Sequence, residues 1–554
     1  MPVVLNSKFP GIKAVLLLSA VLAASSCATV AHYSHTLQVK ALSAPLPHDK
    51  TGQLDTFFPE LDSRRAQVNN RRGFMAYQGQ GELLLDLQTA TAVSLQINGH
   101  PLVLTPRAEL GQHLSVDISA YTRNGFNQLE VTGVQPLGAR VRLAIPYPAL
   151  TESTPEAVGF SAARLNKIDD LINREVEQGF PGAVLVIVKD GRIIKETAYG
   201  FALRYAQDGT ELTTPQPMQT DTIFDLASNS KMYATNYALM KLVSEGRLDI
   251  NKPLQHYIPE YQGDGRELIL VSDLLYHMAG YAPEVHFHRP DNTLGPEFYS
   301  LNREHTIGLL LRKVPLSRAR GEASVYSDID YMLLGILIER ISGLPQDQYL
   351  EQQLYRPMGL QQTMFNPLLK GVNINRIAAT ELSGNSRGGR VSFPANRPDV
   401  VRGEVHDEKA FHALEGVAGH AGLFSTAREV AQLAALALHG GYGTQTVFTP
   451  AVIQQFTRPS TYDHTFGLGW RTAVQGNLNW HFGAYASPYA FGHTGWTGTV
   501  TVIDPYYGLT IVLLTNKKHS PVIADGDESY YFAGDRFETG MYGSVITKIY
   551  EAMF

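Results

Sequence analysis

The hydrophobic period of the chain changes at a proline-rich seam, and a single packed core cannot serve both patterns. Before the seam, from about Gly81 to Ile145, apolar residues recur at every second position. Val93, Leu95 and Ile97 alternate with polar neighbours and end in Asn98-Gly99, a hairpin turn signal, and Asn124-Gly125 repeats the signal. Ser115-Val116-Asp117-Ile118 and Gln128-Leu129-Glu130-Val131 carry the same alternation, which predicts a small all-β sandwich over residues 50–148. Pro146, Pro148 and Pro155 then bracket a linker, 149–158.

After the seam the period is helical. Leu165, Ile168, Leu171, Ile172 and Val176 mark one face, with Ser161 as its N-cap. Two strands follow around Asp190-Gly191, then a long helical middle, a last hairpin (Thr499–Ile503 and Leu509–Leu514), and a helix from about Gly543. Strands from both ends of a segment with helices between them predict an α+β domain over 159–554, built on one antiparallel sheet.

Composition narrows the function. With 46 Lys and Arg against 52 Asp and Glu, the net charge is -6 and no basic block exists to neutralise phosphates, so nucleic acid is excluded as a partner. The single cysteine, Cys27, excludes an internal disulfide framework and any cysteine-based zinc site. Lys8 and Lys13 precede an apolar run, Ala14 to Ala24, which ends in Ser25-Ser26-Cys27. That pattern predicts an export signal or membrane anchor over 1–31, with Cys27 lipidated in one version and the segment retained in the membrane in the other. Either places the rest of the chain at the inner membrane, facing the periplasm.

Ser228-Asn229-Ser230-Lys231 is the only S-x-x-K in the chain. Three residues apart on a helix, Ser228 and Lys231 share a face. The positive helix N-terminus and burial both disfavour the ammonium, predicting a lowered Lys231 pKa and an amine able to activate the hydroxyl. Tyr326-Ser327-Asp328 follows, just before an apolar helix, and His493-Thr494-Gly495-Trp496 opens the last hairpin.

S-x-x-K, then Y-x-N, then K-T-G, in this order, resembles the class C serine β-lactamases, their esterase relatives and the penicillin-binding DD-peptidases. The stretches Ser272–Gly280, Gly419–Thr426 and Phe466–Trp470 add to the likeness. The resemblance implies Ser228 as acylated nucleophile and Lys231 and Tyr326 as proton handlers. It also implies an oxyanion hole from the backbone N–H groups of Ser228 and Trp496, a substrate wall of His493, Thr494 and Gly495, and no cofactor. It implies peptidoglycan-derived peptides or other small acyl substrates, with β-lactams as covalent ligands, and D-Ala-D-Ala carboxypeptidase as the leading activity. A muropeptide amidase, D-aminopeptidase or esterase is the alternative on the same nucleophile, and a non-catalytic penicillin acceptor is the alternative of another class. The leading sandwich domain loosely resembles sugar-binding jelly rolls, against a plain spacer.

Two positions depart from the pattern. Asp328 stands for the family's Asn and could hold Lys231 charged, shifting base duty to Tyr326. His493 stands for the family's Lys, so a fixed cation facing a terminal carboxylate is not assured. His406, Asp407 and Glu408 read as a loop that orders the cleft or as solvated surface. His286 and His288 read as a surface loop rather than metal ligands, and Gly384-Asn385-Ser386-Arg387-Gly388 as a chance match to a nucleophile elbow; no metal is implied.

Overall fold

In a computed structural model of the chain, the structure describes residues 36–40 and 71–554, apart from 103, 105–112, 137–138, 477 and 527–528. The export or anchor segment, with Cys27, lies outside the described residues. Among those described, no helix is long and apolar enough to cross a membrane.

One compact unit runs up to Pro146 and also takes in Thr449–Ala451. Its strands are β1 (Thr36–Lys40), β2 (Arg71–Ala76), β3 (Glu82–Asp86), β4 (Ala92–Ile97), β5 (His100–Leu102), β6 (His113–Asp117), β7 (Gly125–Gln135) and β8 (Arg140–Ala144). They make two four-stranded sheets, in the orders β1-β8-β3-β6 and β2-β7-β4-β5. Alternation sends Leu83, Leu85, Val93, Leu95, Ile97, Leu129 and Val131 into one shared core. The first sheet begins upstream of residue 50, because β1 pairs with β8 through its backbone, a contact that hydrophobic alternation does not register.

The second unit comprises residues Tyr147 to Phe448 and Val452 to Phe554. The proposed linker is part of it: Thr151–Glu152 pairs in parallel with Arg192–Ile193, and a 3-10 turn covers Glu156–Val158. Helix α1 (Ala162–Glu177) is capped by Ser161, whose hydroxyl accepts from Arg164 N–H. The main sheet contains β9 (Gly182–Lys189), β10 (Arg192–Tyr205), β11 (Glu211–Pro217), β12 (Arg471–Thr472), β13 (Phe491–Gly495), β14 (Thr499–Asp504) and β15 (Leu509–Thr515), ordered β11-β10-β9-β15-β14-β13-β12. Helices α2 (Tyr237–Ser244), α3 (Asp328–Ser342), α4 (Ala427–His439) and α5 (Gly543–Glu551) complete the frame.

The sheet divides two cores, which explains why its central strands read as unbroken apolar runs. Val184, Val186, Val188, Val512 and Leu514 face one core, with α2, α3 and α4. Ala183, Leu185, Ile187, Ile511 and Leu513 face the other, with Leu165 and Ile168 of α1 and Val545 and Ile549 of α5.

These cores also bury neutral imidazoles. Burial lowers His439 to about 4 and His288, His493 and His519 to about 3. Unfolded histidine takes its proton near pH 6.5, so between there and about pH 3 the unfolded chain binds more protons, and stability is lost as the pH falls. Each such histidine contributes a slope of up to about 1.4 kcal/mol per pH unit. Asp225 and Asp330, pushed up by burial, act in the opposite sense but are fewer. Thermal melts should therefore show a marked loss of Tm between pH 7 and pH 4.5, and a flat profile would contradict these buried neutral states.

Candidate active site

The loop leading to Ser228 is clamped before the helix begins. Asp225 Oδ1 accepts from Ala227 N–H at 2.8 Å, and Ala227 takes a left-handed backbone (φ 46). The hydroxyls of Thr497 and Thr499 donate to the carbonyls of Asp225 and Leu226, at 2.8 and 3.0 Å. Gly495 is required for this approach, since a Cβ there would lie 2.4 Å from the Leu226 carbonyl. Ser228 sits half-buried at the start of the turn, and Lys231 opens a π-turn (Lys231–Asn236) that runs into α2.

Lys231 is wholly buried. Its Nζ donates to Ser228 Oγ at 3.1 Å, Asp328 Oδ1 at 2.9 Å and the His420 carbonyl at 3.0 Å. Three acceptors match the three N–H groups of an ammonium. Burial pushes the amine down, but Asp328 and Tyr326 outweigh it and hold Lys231 above its ordinary value. The lowered amine expected from the S-x-x-K segment alone is thus reversed, because an anion from another part of the chain reaches the same nitrogen. The Tyr326 ring centre lies 4.9 Å from that nitrogen.

Asp328 is the first residue of α3, where the helix N-terminus favours a carboxylate. Burial opposes its charge, yet Lys231, Lys409 and His420 keep it below the carboxylate range. Lys409, to which the sequence assigned no role, is buried and lies 3.4 Å from Asp328, 3.2 Å from Asp407 and 2.9 Å from Glu284. His420 Nε2 meets Asp407 Oδ1 at 2.9 Å. Asp328, Asp407 and His420 bring ligand-type atoms within 4.8 Å of one another, the one such group among the described residues outside ordinary pairs. The Lys409 ammonium supplies the cation between those two carboxylates.

The opposite wall is β13. His493 Nδ1 donates to the Thr494 carbonyl at 2.7 Å, and its Nε2 is buried without a partner. Burial, then Lys231, lowers it to about 3, so at neutral pH this wall carries no cation where the family pattern has lysine. Its ring centre lies 6.0 Å from that of Tyr326. Thr494 is half-buried and Trp496 is exposed at 41%. His406 stacks on the indole at 4.5 Å and bonds Glu381 at 2.7 Å, so it orders the rim of the site. Asp407 caps the helix Glu408–Leu414, its side chain accepting from Ala410 N–H. Among the described residues, no protein group accepts from the backbone N–H of Ser228 or of Trp496. Backbone donors left free in this way are the kind of group that can hold an oxyanion.

Two other readings resolve differently. His286 is half-buried with its side chain reaching solvent, but His288 is buried against Phe393 and His412, so only the first belongs to the surface. Ser386 lies in a turn, its hydroxyl accepting from Gly389 N–H at 3.3 Å, with no helix after it.

Comparison with known proteins agrees with this geometry. The family profile described as Beta-lactamase matches residues 168–534. The N-acetylmuramyl-L-alanine amidase of Bacillus subtilis (strain 168) is 50% identical over 406 residues, covering 72% of this chain and 91% of that protein. The Escherichia coli (strain K12) protein named "Putative D-alanyl-D-alanine carboxypeptidase" is 44% identical over 418 residues, covering 74% and 95%. A penicillin-binding protein homologue from Caulobacter crescentus shares the fold, with a TM-score of 0.51 and 21% identity over 71% of this chain and 99% of that one. The Ser228 loop, the Tyr326 turn and β13 all fall inside the profile match, and the chain belongs to the beta-lactamase family, as a serine hydrolase of the penicillin-binding type.

Proposed function

We propose that the protein is an amidase that removes the peptide from muropeptides, cleaving the bond between the muramyl acyl group and L-alanine. The observation that carries this reading is the neutral, buried His493. A carboxypeptidase acting on D-Ala-D-Ala releases a residue bearing a free carboxylate, and a neutral imidazole on the leaving side offers that carboxylate no ion pair. An amide whose leaving group is the N-terminus of a peptide makes no such demand. The 50% identity to the Bacillus subtilis amidase supports the same choice.

In this mechanism Ser228 Oγ attacks the carbonyl carbon while its proton passes to the oxygen of Tyr326, which reacts as the phenolate. Lys231, already charged and donating to Ser228, lowers the cost of a phenolate beside it rather than acting as the base. The N–H groups of Ser228 and Trp496 hold the oxyanion, and removing one such donor typically costs about 100- to 1000-fold in rate. Tyr326 returns the proton to the departing amine as the C–N bond breaks. Water then adds to the acyl-serine by the reverse path and releases the muramyl acid. Thr494 and His493 line the leaving side. The exported, membrane-held location belongs to this proposal and is supported by the Lys8 to Cys27 segment.

The relative named as a carboxypeptidase supports a second reading, D-Ala-D-Ala hydrolysis on the same serine. Purified protein incubated with a defined muramyl pentapeptide, its products sized by mass spectrometry, separates the two. We expect the whole stem peptide and free muramic acid. Free D-alanine would overturn the amidase in favour of the second reading. Labelled penicillin bound without turnover of any substrate would overturn both.

A further inference from the structure

We propose that the protein carries a second binding site, apart from Ser228, for an acidic amino-sugar glycan. The site is built on two tyrosine turns that share one buried aspartate side chain. It rests on the amidase reading only for the identity of the sugar acid, which would be the muramyl acid left after the cut.

Two short segments repeat one pattern: Ser487-Pro488-Tyr489 just before β13, and Asp504-Pro505-Tyr506 at the end of β14. In each, the oxygen of the first side chain accepts from the tyrosine N–H, both at 3.2 Å. Asp504 is wholly buried and joins the two turns. It accepts from Ser487 N–H at 2.8 Å, from the Ser487 hydroxyl at 2.6 Å and from the Tyr550 hydroxyl of α5 at 2.8 Å. Proline fixes φ beside each tyrosine, so both turns are ordered before any ligand arrives. Yet the two rings held by this framework are each 68% exposed. Their planes lie within 18° of parallel, with centres 6.3 Å apart. A buried network that holds two solvent-facing phenols adds little to the core, and it presents two flat faces in one direction.

Both rings line a cavity of about 700 Å³, within the size range of small-molecule sites. Gln454, Thr457, Arg458 and Phe491 line it as well, and among the described residues no Asp or Glu does. Arg458 is exposed and gives the lining its one charge. A pyranose lays its C–H face on an aromatic ring, while its hydroxyl and acetamido groups bond to side chains at the edge. A guanidinium pairs with a carboxylate through two parallel N–H bonds. Flat phenols, an amide, a hydroxyl and one cation together select a sugar that carries an acid. An acidic peptide would use the cation but not the paired faces. Phe491 lies two residues before His493, about 7 Å along β13, so the cavity flanks the active site without sharing a residue with it.

The probe is the peptide-free disaccharide of N-acetylglucosamine and N-acetylmuramic acid, titrated calorimetrically into the full chain. Chitobiose is its neutral counterpart, and the free stem peptide is a third arm. We expect the acidic disaccharide to bind the wild type about ten-fold more tightly than chitobiose. Tyr489→Ala with Tyr506→Ala should weaken it by about ten-fold or more, the size expected for aromatic anchors. Arg458→Gln should bring it down to the chitobiose level. All three side chains are exposed, so both variants should melt as the wild type does and turn over a small ester at the same rate. No binding to the wild type, or unchanged affinity in either variant, would overturn the site. Binding of the stem peptide in place of the disaccharide, lost in the same variants, would overturn it as a glycan site. Should the double variant fail to fold, Arg458→Gln decides by the same comparison. Release of free D-alanine from a muramyl pentapeptide would sink the amidase while leaving these affinities as expected, so the two proposals fail separately.

Discussion

Ser228→Ala should lower kcat by about a million-fold on every ester or amide the protein turns over, the order of loss seen when a catalytic serine is removed from a hydrolase. The residue offers its hydroxyl half-exposed while the amine beside it is wholly buried, so only the oxygen can meet a substrate. Alanine removes that oxygen and little else. Lys231 keeps Asp328 and the His420 carbonyl as partners, so the charge network survives and Tm should change little. The free N–H pair of Ser228 and Trp496 would persist, leaving weak residual rate and substrate binding. Steady-state kinetics with a thermal melt alongside checks this. A variant that melts normally and still hydrolyses at a comparable rate would remove Ser228 from the chemistry.

Lys231→Met carries a second large effect, and it differs in kind. Loss of the cation beside the phenol should cost about 100- to 10,000-fold in kcat, the range for groups engaged in proton transfer. It should also destabilise the fold, since breaking a buried ion pair typically costs about 3–5 kcal/mol. Asp328 retains Lys409 at 3.4 Å, so the loss should fall toward the lower end of that range. Activity and Tm fall together in this variant, whereas Ser228→Ala separates them. A Lys231→Met protein with wild-type kcat would show that the ammonium is a structural group only.

The comparison between sequence and structure turns on how far apart the interacting residues lie. Ser228 and Lys231 are three positions apart, and their contact follows from helical geometry. The unbroken apolar run of β9 and the alternation of β4 likewise report local burial. Tyr326 and His493 entered through the order of family motifs, since nothing in their own neighbourhoods places them beside Ser228. The family likeness covers His420 without giving it a role, and Lys409 follows His406, Asp407 and Glu408 without one. Each reaches the site through backbone folding across long separations, and each resembles an ordinary helix or loop residue in the sequence. The sign of the Lys231 shift shows the cost of local reasoning: helix N-terminus and burial both pointed down, and a carboxylate from α3 decided otherwise. His288 shows the same on a smaller scale, fully buried while His286, two residues away, is only half-buried.

The central claim is that Ser228 becomes covalently acylated. Intact-mass and peptide-mapping mass spectrometry of protein quenched during turnover of a slow ester or a β-lactam tests it directly. The account predicts a single adduct, of the acyl group's mass, on the peptide containing Ser228, absent from Ser228→Ala. Substrate turnover with no adduct on that peptide, or an adduct on another residue in its place, would contradict it.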